Sequence, residues 1–269
     1  MAVSINTYLK DLSYKYYIKN DSSEIDKINR SLEALIKNLD SELGILIKRK
    51  FVFGSYDRDT ILPRSYDNNS DIDLMVVFKT SDYERTPETY RAWLKNFADK
   101  YYKDRYGSEV VKSFPTVTIR LGHINYDLVP AKEEGVWAPT LYIPSKSNYS
   151  GWQDTDPNDV KNKLTEVNTR YNSIVRPIIR LMKGWNANKD YPYDSYELEL
   201  FITGLNFSGD DIQKGFFYAV EKLTTSWNDT KTKKDKVESL KNNINQVKYW
   251  LENNDQIRAK QWLHRVLPE

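Results

Sequence analysis

Asp71-Ile72-Asp73 runs without a break into Leu74-Met75-Val76-Val77-Phe78. Five apolar residues, β-branched and aromatic types among them and too few for an ordinary helix, predict a buried strand. Alternation along that strand puts Asp71 and Asp73 on one face, roughly 7 Å apart at Cα. Two carboxylates forced together at the mouth of an apolar strand repel each other and raise one pKa. A divalent cation removes the conflict. A second apolar run, Phe51-Val52-Phe53, lies upstream and breaks at Gly54-Ser55. Gly54 lets the backbone approach a ligand closely, and Ser55 adds a hydroxyl at a turn like a helix start, where amides favour phosphate. Metal and phosphate belong together when the substrate is a nucleoside triphosphate.

Gly54-Ser55 followed by Asp71-x-Asp73 on a strand resembles the signature of the polymerase-β-like nucleotidyltransferase superfamily. The longer form, Gly54-Ser55-Tyr56-x-Arg58-x-Thr60, is similar to bacterial second-messenger synthases related to cyclic GMP–AMP synthase and oligoadenylate synthetase. That family places a third carboxylate on a neighbouring strand, and Asp127 in Asn125-Tyr126-Asp127-Leu128-Val129 occupies the corresponding place. The resemblance implies that Asp71, Asp73 and Asp127 are catalytic and hold two Mg²⁺ ions about 3.5–4 Å apart, with Mn²⁺ as a substitute. Further on, Lys183-Gly184-Trp185-Asn186 and Ser195-Tyr196-x-Leu198-Glu199 resemble a segment of the family's helical domain. There a lysine and a serine contact the donor triphosphate and the next aromatic stacks on its base. The expected nucleotide-binding residues are therefore Gly54, Ser55, Arg58, Lys183, Ser195 and Tyr196. Arg58 and Thr60 stand open between phosphate contact and loop fixing, as Arg176 and Arg180 do between phosphate contact and packing.

Composition removes other chemistries. There is no cysteine, which excludes disulfides, thiolate zinc sites and a cysteine nucleophile. The two histidines, His123 and His264, are far apart in sequence, against a histidine-rich metal site, and His123 reads as a residue of a hairpin turn. Forty basic and 38 acidic residues leave a net charge of +2, so no global field draws the chain to nucleic acid. No apolar run reaches the length of a membrane span and the N-terminus lacks a signal peptide's apolar core. A soluble, cytoplasmic protein without membrane partners is expected.

The periodicity predicts helices over 4–18 and from Ser22-Ser23 to Gly44, and a third from Thr86-Pro87 to Tyr102. Strands are expected from Phe51, at 71–78, 109–112, 116–121 and 124–129, and at 140–143. Residues 145–154 read as a polar loop. Thereafter the chain reads helical: from Asp156-Pro157, across 168–186 with a kink or break at Pro177 near Arg176, from Ser195, and over 208–223, 231–251 and 255–267. The fold class is α/β in the broad sense: a mixed, twisted sheet of the nucleotidyltransferase type over 1–150, braced by N-terminal helices, then a helical bundle over 151–269 closing the nucleotide cleft.

The resemblance implies a Mg²⁺-dependent nucleotidyltransferase that joins nucleoside triphosphates into cyclic or short oligonucleotide second messengers for bacterial antiphage signalling. A downstream effector responding to the product and an RNA activator are further candidate partners. A template-independent RNA- or tRNA-tailing enzyme, an antibiotic or protein nucleotidyltransferase, and a degenerate nucleotide sensor are the alternatives. Retention of all three carboxylates disfavours the sensor.

Overall fold

A computed structural model of the chain describes residues 4–81, 84–135, 137–148 and 150–269. Its elements are, in order, α1 (Ile5–Lys15), α2 (Ser22–Leu43), β1 (Ile47–Phe53), α3 (Gly54–Asp57), β2 (Asp71–Phe78), α4 (Pro87–Ala98), α5 (Asp104–Tyr106), β3 (Glu109–Val111), β4 (Val117–Arg120), β5 (Asn125–Glu134), β6 (Thr140–Pro144), β7 (Trp152–Thr155), α6 (Pro157–Arg170), α7 (Val175–Asn188), α8 (Ser195–Thr203), α9 (Ile212–Lys222), α10 (Lys231–Glu252) and α11 (Gln256–Leu263). The chain divides into two compact units. A sheet unit holds Asp21–Arg58 and Asn69–Asn162; a helical unit holds the chain up to Asn20, Asp59–Asn68 and Lys163–Glu269.

In the sheet unit, β1 pairs antiparallel with β2 and β2 runs parallel to β5. β4 and β3 continue the sheet antiparallel beyond β5, giving the order β1-β2-β5-β4-β3. The far end of β5 leaves β4 and takes up β6, which in turn pairs with β7. Pro130 sits at that changeover: the β4 pairing ends at Leu128 and the β6 pairing begins at Lys132. A residue without an N–H is tolerated there because no strand needs its donor on that side. One face of the sheet, carrying Phe78 and Tyr126, packs against helices: Phe78 stacks on Tyr90 of α4 at 4.5 Å, and the Tyr126 hydroxyl donates to the Ile28 carbonyl of α2 at 3.1 Å. On the other face Met75, Val77, Val129, Ala131 and Leu141 form a small separate core flanked by Phe51 and Phe53. The expected mixed sheet with helices is therefore what the chain builds.

The helical unit has one apolar core. Ile5, Leu9 and Leu12 of α1 enter it beside Val175, Ile178, Ile179 and Met182 of α7, Phe216 of α9 and Leu263 of α11. A single division near residue 150 does not describe these units. The apolar stripe of α1 is buried among the later helices, and Leu62 carries the 59–68 segment into the same core. The expected helix over 168–186 is two helices. Asn172 and Ser173, with φ of 52° and 63°, turn the chain between them. Pro177 then falls in the first turn of α7, where a missing N–H breaks no bond. Three further boundaries differ from expectation. β1 begins at Ile47, because its charged first half faces solvent and hides the strand pattern; α9 begins only at Ile212, capped by Asp211; and Trp152–Thr155 form a strand through pairing with β6.

Candidate active site

β2 and β5 bring the three aspartates to one place. In their parallel register Asp73 lies opposite Asp127 and Asp71 opposite Asn125. Register partners share a face, and so do Asp71 and Asp73, two apart on one strand. All three carboxylates therefore stand on the same face, at partly buried positions, at the end of the Met75, Val77, Val129 and Ala131 core. Apolar packing fixes the strands, and the carboxylates are carried where that packing stops.

Gly54 closes the arrangement. Phe53, the last residue of β1, pairs with Asp73, and the chain then turns sharply into α3 with Gly54 at φ 71°. A Cβ at this position would collide with the Asp73 carboxylate. Both the left-handed backbone and the close approach demand glycine. Ser55 follows on α3, and Arg58 caps it, donating its N–H to the Gly54 carbonyl at 3.1 Å, with its side chain buried. Lys161 of α6 pairs with Asp57 at 2.7 Å and holds the end of this short helix.

The Asp127 carboxylate is held by the adjacent strand. Thr118 donates to Oδ1 at 2.5 Å and Thr116 to Oδ2 at 3.3 Å. Burial pushes its carboxyl above the usual range, while the two hydroxyls and Arg120 act the other way. Sequence alone gave no sign of these threonines, because their reach to Asp127 depends on the β4–β5 register, Thr118 lying opposite Asp127. Among the described residues no three acidic, histidine or cysteine side chains converge closely enough to enclose a metal by themselves. The donor chemistry nonetheless fits a hard divalent cation: three carboxylates on one face.

The remaining expected residues lie in the helical unit. Lys183, on α7, is buried, with Nζ 4.0 Å from Oε2 of Glu199 on α8. Neighbours in the Lys183-Gly184-Trp185-Asn186 motif have packing reasons for their identity. A Cβ on Gly184 would overlap the Tyr16 ring, and Trp185 fills the core. The Asn186 amide binds Tyr193 on both sides, donating to its carbonyl at 2.9 Å and accepting from its N–H at 3.1 Å. That clamp fixes the turn before α8. Asp194 is the N-cap of α8, accepting from the N–H groups of Tyr196 and Glu197, and Ser195 is the first helical residue. Tyr196, in the first turn, is 45% exposed.

Two open assignments resolve into scaffold. The Thr60 hydroxyl is buried and donates to Glu199 Oε2 at 2.7 Å, which fixes the 59–68 segment to α8. Arg180 donates to the carbonyls of Ser13 and Asp59 at 3.0 and 2.9 Å and lies over the Tyr17 ring, a packing charge.

Residues 3–168 match the family described as the Second Messenger Oligonucleotide or Dinucleotide Synthetase domain. The CBASS oligonucleotide cyclase CdnC of Escherichia coli (strain KTE188) is 28% identical over 202 residues, covering 69% of this chain and 60% of that protein. The alignment thus spans less than two thirds of the curated relative's length. Among solved structures, E. coli MS115-1 CdnC with ATP superposes with a TM-score of 0.70 over 99% of this chain and 98% of that one, at 17% identity. Bradyrhizobium diazoefficiens CD-NTase CdnG in complex with GTP gives 0.69 over 97% and 98%, at 11% identity. At such identities the likeness is one of fold.

Two outcomes follow from this geometry. Gly54→Ala should lower unfolding free energy by about 1–3 kcal/mol in urea denaturation, from backbone strain and the Asp73 collision; unchanged stability would mean a different turn. The second concerns Asp127. A carboxyl whose folded pKa is raised binds its proton more tightly when folded, so native stability falls as pH rises from the unfolded value towards the folded one. In EDTA, Asp127→Asn should therefore melt above the wild type at neutral pH, and the gap should close on acidification below the ordinary aspartate range. A variant less stable at neutral pH would show that the ionised carboxylate is net stabilising.

Proposed function

This chain belongs to the second messenger oligonucleotide or dinucleotide synthetase family, and from that premise we propose that it joins nucleoside triphosphates into cyclic or short oligonucleotides. Pyrophosphate leaves at each step, and the product serves as a signal in antiphage defence. One observation carries the proposal: the register that sets Asp73 opposite Asp127, with Asp71 beside them and Gly54 against the Asp73 carboxylate.

Asp71, Asp73 and Asp127 would hold divalent metal, proposed as two Mg²⁺ ions with Mn²⁺ as a substitute. Bound there, the metal would acidify the attacking hydroxyl and neutralise charge on the triphosphate. The chain's own work is position and charge. Asp71 and Asp73, on the interior strand β2, would hold the cation that fixes the triphosphate, and the Gly54-Ser55 turn lets the phosphates approach the backbone. Asp127 takes the proton of the attacking hydroxyl on a carboxylate oxygen. In the helical unit Lys183 and Ser195 contact the donor triphosphate and Tyr196 stacks on its base. Substrates are nucleoside triphosphates of the cytoplasmic pool, an effector responds to the product, and an RNA activator is tested by adding RNA to the reaction. No helix among the described residues is long and apolar enough to cross a membrane.

The test is direct. Pure protein incubated with sets of nucleoside triphosphates and Mg²⁺ or Mn²⁺ should yield nucleotide–nucleotide products by mass, part of them phosphatase-resistant as a ring would be. Asp71→Asn or Asp73→Asn should abolish them without unfolding the protein, a loss of several orders of magnitude. Transfer onto tRNA, a drug or a protein with no such product, or wild-type turnover by either variant, would overturn the assignment. Tyr196 gives an independent outcome. Tyr196→Ala should weaken donor binding by about 1–3 kcal/mol while Tyr196→Phe is nearly silent. Equal affinities for the two would leave the ring without a base to touch.

A further inference from the structure

Lys183 and Glu199 bury opposite charges inside the helical unit, 6% and 2% exposed. Their 4.0 Å separation exceeds a hydrogen bond. Among the described residues the Lys183 ammonium makes no hydrogen bond at all. The Glu199 oxygen facing it, Oε2, is held from elsewhere by Thr60 at 2.7 Å. Arg180, one turn back on α7, is committed to the carbonyls of Ser13 and Asp59. A buried ammonium needs a countercharge, and buried N–H donors need acceptors. Glu199 supplies the first need here and, at 4.0 Å, takes none of the lysine's donors. Had the carboxylate closed on Lys183, it would have taken one of the three N–H donors that an anionic ligand can use.

We infer that Glu199 is a positioning residue for nucleotide binding: anchored by Thr60, it keeps the Lys183 ammonium in place by charge while leaving its donors to a phosphate oxygen of the donor nucleotide. This role rests on Lys183 being a triphosphate contact, as proposed above. It also accounts for Thr60, the last residue of the Gly54–Thr60 motif, as the anchor of that carboxylate.

The test is a cycle of ATP affinities by calorimetry, with steady-state kinetics, for the wild type, Lys183→Ala, Glu199→Gln and the double variant. Glutamine keeps the volume and an acceptor for Thr60 but removes the charge. Lys183→Ala should weaken ATP about tenfold or more. Glu199→Gln should weaken it about fivefold, raising KM with kcat within about twofold of wild type. In the Lys183→Ala background Glu199→Gln should cost nothing more in ATP affinity if its effect on the nucleotide passes through the lysine. Equal losses in both backgrounds would mean a purely structural role and overturn the inference, as would an unchanged affinity for Glu199→Gln beside a weakened Lys183→Ala. An unchanged affinity for Lys183→Ala would instead remove the triphosphate contact itself, and the positioning role with it. Should the glutamine variant fail to fold, Thr60→Val replaces it in the same cycle. A loss of about twofold confined to the lysine-containing background supports the role, and an additive or absent loss contradicts it.

Discussion

The parallel pairing of β2 with β5 is the constraint on which the rest of the site depends. It is maintained by residues with no chemistry of their own, the Met75, Val77, Val129 and Ala131 side chains beneath the aspartates. A slip of one residue would send every side chain to the other face and scatter the carboxylates. Like charges on one face oppose the cluster, and burial of Asp127, which pushes its carboxyl above the usual range, adds to the cost. The apolar strands bear that cost, and the hydroxyls of Thr116 and Thr118 offset part of it. A site held together against its own charge is suited to a ligand that brings positive charge.

Much of this was legible in the sequence, for identifiable reasons. An apolar run ending at paired aspartates announces its strand locally, and Gly54-Ser55 announces the turn. Asp127 was different. Its partnership with Asp73 is a long-range pairing between strands more than fifty residues apart, which periodicity does not encode; resemblance to a family supplied it. The threonines of β4 were invisible for the same reason. Glu199 was hidden by habit: a glutamate one turn into an amphipathic helix reads as a solvent residue, and only tertiary packing buries it. The turn between α6 and α7 was missed because Asn172 and Ser173 adopt left-handed backbone within a stretch whose apolar spacing continues on either side.

The helical unit shows how one short motif serves several ends. Gly184 admits Tyr16, Trp185 anchors the core, and Asn186 locks the turn that presents Ser195 and Tyr196. Lys183 alone in that run carries a charge, and its ammonium makes no hydrogen bond among the described residues. Arg180, which the sequence left open, turns out to be spent on backbone carbonyls. The distinction between a spent cation and an unspent one cannot be seen in composition and is plain in the structure.

The central claim is that the face shared by Asp71, Asp73 and Asp127 is where metal and nucleotide meet. Anomalous diffraction from crystals grown with Mn²⁺ and a non-hydrolysable ATP analogue tests it most directly. Manganese peaks bounded by these three carboxylates, with triphosphate oxygens completing the shell, are the predicted result. Nucleotide bound with manganese elsewhere, and none at these aspartates, would contradict the account.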